Sequence, residues 1–404
     1  MSELSKQLGF WDIYLMSIGQ IIGAGIFILI GKTAKYANYF TWLSFFIAGI
    51  FSILSGFSYV ELSTIFKRNA AENDYIGSVF GEKIGLLSTI ILLLIGVFTI
   101  TTVALGMGEY INKKFNYSKL TSAILIILLY AGINIIGVKT SSNVNMVSTA
   151  IEFLGLVAII LGGLFTIKPE SAFNIPKSIV PSGKIIYSSL IAMFAYMGFE
   201  TTVRLTEEAV NPNRDIPLAL IASVITTGIL YILVSWIVTN VVDVKKLANS
   251  ATPIEDAAQV IFGNKISPLF GLIAFVAISN TVLLGLLTNS RILHSISENF
   301  PQLSMFRYVN KVTKTPVIAI LAVTLLSLLA LLLKNVEKSA VFASWLFFAI
   351  LALVHLSLMI LHLQGKYEKE FEKTFTGKIN KKFPIFPLLG FLSCVGIMTC
   401  CFNH

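Results

Sequence analysis

The chain has 404 residues, of which 55% are hydrophobic and only 13% are charged, and its mean hydropathy is +0.82. This composition excludes a soluble globular protein of the same length and indicates an integral membrane protein that lies in a lipid bilayer. A net charge of +9 would favour nucleic acid binding in a soluble chain, but here Lys and Arg cluster between apolar runs, so we expect no nucleic acid partner.

Apolar segments recur along the whole chain. A transmembrane helix needs about 20 mostly apolar residues. The sequence therefore predicts an all-α, polytopic membrane protein with about eleven spans, which lie near residues 10–31, 39–65, 84–111, 120–137, 143–167, 184–206, 217–241, 267–291, 316–333, 338–363 and 384–402. Residues 207–217 contain two prolines and are predicted to be a loop.

Loop charges favour a cytosolic N-terminus. All five arginines, at positions 68, 204, 214, 291 and 307, then fall on the cytosolic side, where positive charge is commonly enriched. The polar first nine residues and the full-length first span do not resemble a cleavable signal peptide, so we expect the first span to remain. With eleven spans, His404 is expected on the outer side of a membrane whose identity stays open.

Glycines interrupt the first span at residues 19–27, which read GQIIGAGIF. Each glycine in a helix interior costs about 1 kcal/mol relative to alanine. The cluster predicts a helix that unwinds where a span should be continuous. A kinked helix with a small packing face is the structural alternative.

A second interruption occurs in the sixth span, where residues 194–200 read FAYMGFE and include Gly198 and Glu200. Since five spans separate the two breaks, spans 1–5 and 6–10 would have opposite orientations, as in transporters with inverted repeats. The sequence predicts a first repeat at residues 1–167, a second repeat at 168–363, and a connector with span 11 at 364–404.

Two broken helices offer groups that complement an α-amino acid. Freed N–H groups at a helix N-terminus suit a carboxylate, and freed carbonyl groups suit an ammonium group. The carbonyl groups near Phe194 and Ala195 would add acceptors for the amine, while Tyr196 is a candidate aromatic gate.

Several stretches resemble the amino acid-polyamine-organocation (APC) transporter family, in the same order along nearly the whole chain. They are IGQIIGAGIFILIGKTA in span 1, YVEL at 59–62, FAYMGFETTVRLTEEAVNPNRDIPLAL at 194–220, ATPIEDAAQVIFG at 251–263 and NSRILHSISENFP at 289–301. The resemblance implies a ten-helix core with the substrate between helices 1 and 6. Carried over by position, it implies that Ala24 and Gly25 offer N–H groups to the carboxylate. It also implies that the amine is bound by the carbonyl groups of four residues, which are Ile21, Phe194, Ala195 and Met197. The glycines that would permit the unwinding are Gly23 and Gly198.

The chain departs from this family in two ways. Family members commonly have twelve spans, whereas this chain has eleven predicted spans. Many sodium-independent members have a lysine in span 5, where this chain has Glu152. Desolvation favours the neutral form of a buried carboxyl group, so Glu152 is a candidate proton carrier, or alternatively an oxygen ligand for sodium, near Ser279 or Thr281 on span 8. The alternatives are that it pairs with Lys139 or faces a polar cavity.

Two other acidic residues lie in predicted spans. Glu200 is expected either to order the unwound backbone or to act in gating, and Glu61 is expected to pair near the inner face. His355 and His362 in span 10 are expected to pack along one helix face and not to bind a metal ion.

The sequence favours a secondary active transporter of amino acids that works by alternating access, either as a proton-coupled symporter or as an exchanger. A polyamine or organic cation transporter and a non-transporting nutrient sensor are the alternatives. An enzyme is not expected, since no nucleophile or metal constellation is apparent. No cofactor, metal site or partner protein is predicted, and the side-chain preference and coupling ion stay open.

Overall fold

The computed structural model describes residues 8–66, 71–136, 139–167, 180–206, 208–313, 315–372, 374–380 and 383–401. Across these ranges the chain is helical, and the extended pairing is limited to one isolated bridge between Leu8 and Ala209. The prediction of an all-α protein is confirmed.

The α-helices follow one another along the chain with short connections. They are α1 (Phe10–Ile21), α2 (Ala24–Ala37), α3 (Thr41–Ile65), α4 (Ala71–Phe80), α5 (Glu82–Phe115), α6 (Lys119–Ile136), α7 (Lys139–Thr166), α8 (Ser182–Met193), α9 (Pro212–Val241), α10 (Val244–Ala248), α11 (Pro253–Phe262), α12 (Ser267–Asn299), α13 (Val317–Ala330), α14 (Val336–Leu363), α15 (Glu368–Phe371), α16 (Phe375–Asn380) and α17 (Ile385–Cys401).

Seven helical stretches in the described ranges are long and apolar enough to cross a membrane. They are Ala24–Ile65, Glu82–Phe115, Lys119–Ile136, Val147–Thr166, Pro212–Val241, Ser267–Ser297 and Val336–Leu363. Two shorter apolar helices cover Val317–Leu333 and Ile385–Thr399. The chain therefore has the helices of a multi-pass membrane protein, as predicted.

The outer surface of α7 shows how the fold meets lipid. Leu154, Leu161 and Phe165 form one stripe along the helix and are 66%, 55% and 92% exposed. Glu152, on the same helix, is completely buried. Because the apolar side chains point outward and the acid points inward, this helix is oriented for a hydrocarbon environment and not for water.

The predicted loop at residues 207–217 is shorter in the structure than in the prediction, because α9 begins at Pro212. Proline is favoured in the first turn of a helix, where its missing N–H group has no partner to lose. Pro217 lies further into α9 and is tolerated there. Asp215 in the first turn is buried. The expectation that the prolines exclude a helix over this stretch was wrong.

Two apolar cores hold the helices together. The larger core includes residues of α1, α3 and α9, and the smaller core includes residues of α5 and α6. Helices α2 and α12 contribute residues to both cores.

Candidate functional site

The first predicted span is divided at Ile22 and Gly23. Helix α1 ends at Ile21, and Ile22 has an extended conformation with φ of −72° and ψ of 115°. Gly23 is also extended, and α2 begins at Ala24. The first N–H groups of α2 have no acceptors in their own helix and are available to other groups.

The sixth predicted span is divided at Met197 and Gly198. Helix α8 ends at Met193, one 3₁₀ turn covers Phe194–Tyr196, and a longer 3₁₀ helix covers Phe199–Leu205. Gly198 has φ of +119°, a region that residues with a Cβ atom rarely occupy. Its N–H group donates a hydrogen bond of 2.9 Å to Oε2 of Glu200, so this carboxylate orders the unwound backbone.

The two breaks touch each other. A Cβ atom on Gly198 would lie 2.4 Å from the carbonyl oxygen of Gln20, and one on Gly25 would lie 2.7 Å from Cα of Ala195. Neither distance is possible for a real side chain, so both glycines are required for this contact. The glycines that interrupt the sequence pattern thus bring two backbones together.

A tyrosine from α9 bridges the carbonyl groups at the two breaks. The hydroxyl oxygen of Tyr231 lies 3.0 Å from the carbonyl oxygen of Ile21 and 3.2 Å from that of Ala195. A phenol has one proton, so it donates to one carbonyl at a time. These are two of the four carbonyl groups that the sequence assigns to a substrate amine. Tyr231 could not be predicted from the sequence, because a single tyrosine in an apolar span has no distinguishing pattern.

Thr281 on α12 contacts the first break. Its hydroxyl group accepts a hydrogen bond of 3.0 Å from the N–H group of Ala24 and donates one to the carbonyl group of Ala277. A Cβ atom on Gly23 would lie 2.8 Å from the same hydroxyl oxygen. In this structure Thr281 therefore holds one of the two N–H groups that the sequence assigns to a substrate carboxylate.

A cavity of about 160 Å³ lies at the breaks. All eight residues that the sequence assigns to substrate binding line it: Ile21, Gly23, Ala24, Gly25, Phe194, Ala195, Met197 and Gly198. Glu200 and Thr281 also line it, together with residues from α5, α12 and α14. The geometry brings the predicted backbone groups to one space between both broken helices.

Glu152 is buried behind the first break, outside the cavity lining. Neither of its carboxyl oxygens makes a hydrogen bond of ordinary geometry within the described ranges, and the side chain that interacts with it is Asn280 on α12. The sequence named the neighbours Ser279 and Thr281 on the same helix. Neither hydroxyl group bonds to Glu152, since the Ser279 hydroxyl is buried without a described partner and Thr281 faces the break.

The alternative that Glu152 pairs with Lys139 was wrong. Both residues belong to α7, and thirteen positions of a continuous helix separate their Cα atoms by about 20 Å. No lysine side chain spans that distance. The described structure also records no ion pair to Glu152 from another helix.

The predicted gate residue Tyr196 lies away from the cavity. It is fully buried, its hydroxyl group donates to the carbonyl group of Phe45 at 2.9 Å, and its ring contacts that of Tyr231 edge to face. Its side chain thus joins the 3₁₀ turn to α3 and α9.

One residue of the cavity lining, Arg204, belongs to an ion pair. Its guanidinium group lies 3.2 Å from Oε2 of Glu72 on α4. The hydroxyl group of Tyr59 on α3 donates to the other oxygen of Glu72. This pair could not be predicted from the sequence, in which Arg204 indicated only topology, because the partners are far apart in the chain.

Ion pairs also join α2 to its neighbours at the opposite end of the bundle. Glu337 on α14 accepts hydrogen bonds from Lys35, at 3.1 Å, and from the hydroxyl group of Tyr36. Lys32 pairs with Glu109 on α5 at 3.1 Å. These contacts fix α2, the second half of the divided span, against α5 and α14.

The two histidines of α14 make polar contacts to α3. Both ring nitrogens of His355 lie within 3.2 Å of serine hydroxyl groups, and Nε2 of His362 lies 2.8 Å from Oε2 of Glu61. Glu61 also accepts a hydrogen bond from Asn380. All three side chains therefore have structural partners between α3 and the C-terminal helices.

Comparisons with known proteins agree with this architecture. Residues 8–403 match the family model described as amino acid permease. The chain is 28% identical over 338 residues to a mitochondrial cationic amino acid transporter of Arabidopsis thaliana, with 78% of this chain and 55% of that protein covered. It is 27% identical to a methylthioribose transporter and 23% identical to a branched-chain amino acid permease, both of Bacillus subtilis, with 78% of this chain and 72% of each relative covered.

The chain spans little more than half the length of the plant relatives that it matches. The family match, by contrast, extends over nearly all of the chain and includes both helix breaks. This protein is a multi-pass membrane protein of the amino acid permease family, within the amino acid-polyamine-organocation superfamily.

Proposed function

We propose that this protein is a secondary active transporter that moves amino acids across a membrane by alternating access. The observation that carries the proposal is the contact between two broken helices at a cavity lined by their unwound backbone. Unwound backbone at membrane depth is tolerated where it is buried in protein or lines a cavity, and such sites bind substrate in many transporters. We further propose that the chain has eleven spans, and that residues 1–167 and 168–363 form two inverted repeats of five spans each.

In the proposed complex, the substrate carboxylate binds at the N-terminus of α2, beside Gly25, where the helix dipole favours negative charge. The substrate ammonium group binds the carbonyl groups of Ile21 and Ala195, which Tyr231 contacts in this structure. An ammonium group has three donors and can satisfy both carbonyls together. Tyr231 and Thr281 would thus hold the backbone groups in place between transport events.

The names of the relatives support amino acid transport, since cationic and branched-chain amino acids are both represented. A polyamine has no carboxylate and would leave the N–H groups at the start of α2 unused. Therefore the zwitterionic part of an amino acid fits the two breaks better than a polyamine does.

The arrangement of ion pairs supports alternating access. With the N-terminus in the cytosol, the contacts of Glu337 with Lys35 and Tyr36 lie at the outer end of α2 and close it. The cavity extends from the breaks to Arg204, on the cytosolic side. The structure then corresponds to a state whose outer gate is shut.

Replacing Glu337 by glutamine is expected to weaken this outer gate. The variant loses the charge that holds Lys35 and Tyr36, and a loss of about 1 kcal/mol shifts the open population about fivefold. A cysteine introduced at Thr99, which lines the cavity, should then react several-fold faster with a membrane-impermeant thiol reagent added outside.

Glu255→Gln is the matched control for this measurement, because the ion pair of Glu255 is with Lys114 on α5 and not with a residue of α2. Equal reaction rates in Glu337→Gln and the control would show that Glu337 does not hold the gate.

The experiment that tests the proposed function is uptake of radiolabelled amino acids into proteoliposomes, with imposed proton or sodium gradients. We expect saturable uptake of at least one amino acid. Unlabelled analogues whose α-carboxylate is amidated or reduced should fail to compete, because they lack the group that binds the α2 N-terminus. If such analogues compete as well as the parent compound, the amino acid assignment is wrong and an amine or polyamine substrate replaces it.

A further inference from the structure

A second, larger cavity of about 810 Å³ opens at the end of the bundle that we assign to the outside. Seven lysines contribute to its lining, together with three acidic residues. Three of the lysines are neutralised by these acids at 3.0 to 3.1 Å, in the pairs Lys32–Glu109, Lys35–Glu337 and Lys113–Asp256. We call this cavity the lysine vestibule.

The other four lysines of the vestibule are Lys119, Lys245, Lys246 and Lys334. All four are exposed, and none has an ion pair within the described ranges. Because each acid of the lining already has a lysine partner, the vestibule retains four uncompensated positive charges. Charges of one sign around a concave entrance focus the electric field and concentrate solutes of opposite charge.

Helix stabilisation accounts for only part of these four charges, since Lys245 and Lys246 lie in the last turn of α10. Lysines near a helix C-terminus complement the helix dipole, and Lys35 and Lys113 have that position. Lys119 is the first residue of α6, where a positive charge is unfavourable. Lys334 lies just before the N-terminus of α14. The charge that complements the dipole at this end of α14 is the carboxylate of Glu337, in the first turn. Lys119 thus adds positive charge to the vestibule where its own helix disfavours it.

We infer that the lysine vestibule makes the protein select amino acids with a net negative charge over cationic ones. The inference rests on the proposed function and names the substrate class of that transporter. An acidic amino acid carries a second carboxylate, so the vestibule raises its local concentration and its rate of entry. A lysine or arginine substrate is repelled by the same field.

The charges at the central cavity agree with this selection. Arg204 lines the cavity, and its Nε–H group makes no hydrogen bond to any described residue. The carboxylate of Glu200, which also lines the cavity, is engaged by the N–H group of Gly198. A cationic side chain of a substrate would therefore compete with the Gly198 N–H group for this carboxylate. Relatives named for cationic amino acids, at 28% identity, do not determine the substrate charge here.

The test compares a vestibule variant with a matched control in proteoliposomes. The variant is Lys246→Glu with Lys334→Glu. The control is Lys265→Glu with Lys338→Glu, which reverses two exposed lysines outside the vestibule lining. Uptake of glutamate and of leucine is measured at low and high ionic strength, with lysine and arginine as competitors.

For the wild-type protein we expect glutamate to compete better than lysine or arginine. In the vestibule variant, the KM for glutamate at low ionic strength should rise about tenfold, with little change in the KM for leucine or in the maximal rates. High salt should remove the difference, because charges separated by more than about 3 Å are screened at 1 M salt. The control should behave as the wild type does.

Three results would overturn the inference and leave the proposed function intact. The first is that lysine or arginine competes better than glutamate. The second is that the vestibule variant and the control have the same KM for glutamate. The third is that the vestibule variant changes glutamate and leucine uptake together, and only in vesicles that contain anionic lipid. The last result would assign the lysines to lipid headgroups. Absence of uptake for every amino acid would instead overturn the proposed function together with the inference.

Discussion

Replacing Gly25 by alanine is expected to abolish amino acid binding. The new methyl group would lie 2.7 Å from Cα of Ala195, so α2 and the 3₁₀ turn of the sixth span must move apart. That movement separates the N–H groups of the first break from the carbonyl groups of the second. At a hundred times Kd, a bound ligand stabilises a protein by about 2.7 kcal/mol. We expect the thermal shift of the wild type with its substrate to be absent in Gly25→Ala.

Gly132→Ala is the control, since a Cβ atom there has no neighbour within 4 Å and the residue lies in the middle of α6. Both variants must elute as monodisperse proteins before their thermal shifts are compared. A folded Gly25→Ala protein that retains the full substrate-induced shift would contradict the placement of the site at the two breaks.

Replacing Glu152 by glutamine is expected to uncouple uptake from the ion gradient. The carboxyl group is buried without an ion pair, and glutamine keeps its shape but cannot exchange a proton. A carboxyl group that changes protonation during transport couples the substrate to the proton gradient. Proton-driven uptake should fall about tenfold or more, which is the size of a typical coupling between two sites, while substrate binding persists.

Uptake measured against pH and against sodium separates the two coupling ions. Proton coupling predicts that wild-type uptake declines as the external pH rises and that Glu152→Gln loses this dependence. Sodium coupling predicts that uptake requires sodium and that the variant needs more of it, because a charged oxygen ligand is lost. Glu82→Gln, an exposed carboxylate at the start of α5, is the control. Unchanged dependence on both ions in Glu152→Gln would remove this residue from the mechanism.

The helix breaks could be predicted from the sequence because their causes are local. Gly23 and Gly25 are poor helix formers inside an apolar span, and Gly198 adopts a positive φ that the surrounding residues avoid. The family resemblance then placed backbone groups on individual positions. All of those residues line one cavity, since the unwound stretches are short and leave few arrangements in which the breaks can meet.

The side chains around the breaks were harder to predict. Tyr231 comes from a mostly apolar span that has no distinguishing pattern around it, and its two carbonyl contacts depend on how α9 packs. Asn280 interacts with Glu152, whereas the sequence pointed to the two neighbouring hydroxyl residues. Consecutive residues of a helix point about 100° apart, so an error of one position changes the helix that a side chain faces.

Contacts between distant loops were not visible in the sequence. The pair of Arg204 and Glu72 joins segments more than a hundred residues apart, and the lysines of the vestibule come from several separate helix ends. In a linear reading each lysine is an ordinary loop charge. Only the three-dimensional arrangement shows that the charges surround one entrance.

The central claim is that two broken helices hold the amino acid by their backbone groups. A structure of the protein in lipid nanodiscs, with the best-transported amino acid of the uptake panel bound, tests it most directly. The account predicts the α-carboxylate within hydrogen-bonding distance of the Gly25 N–H group and the ammonium group beside the carbonyl groups of Ile21 and Ala195. A substrate bound elsewhere, with Tyr231 still bridging both carbonyls, would contradict it.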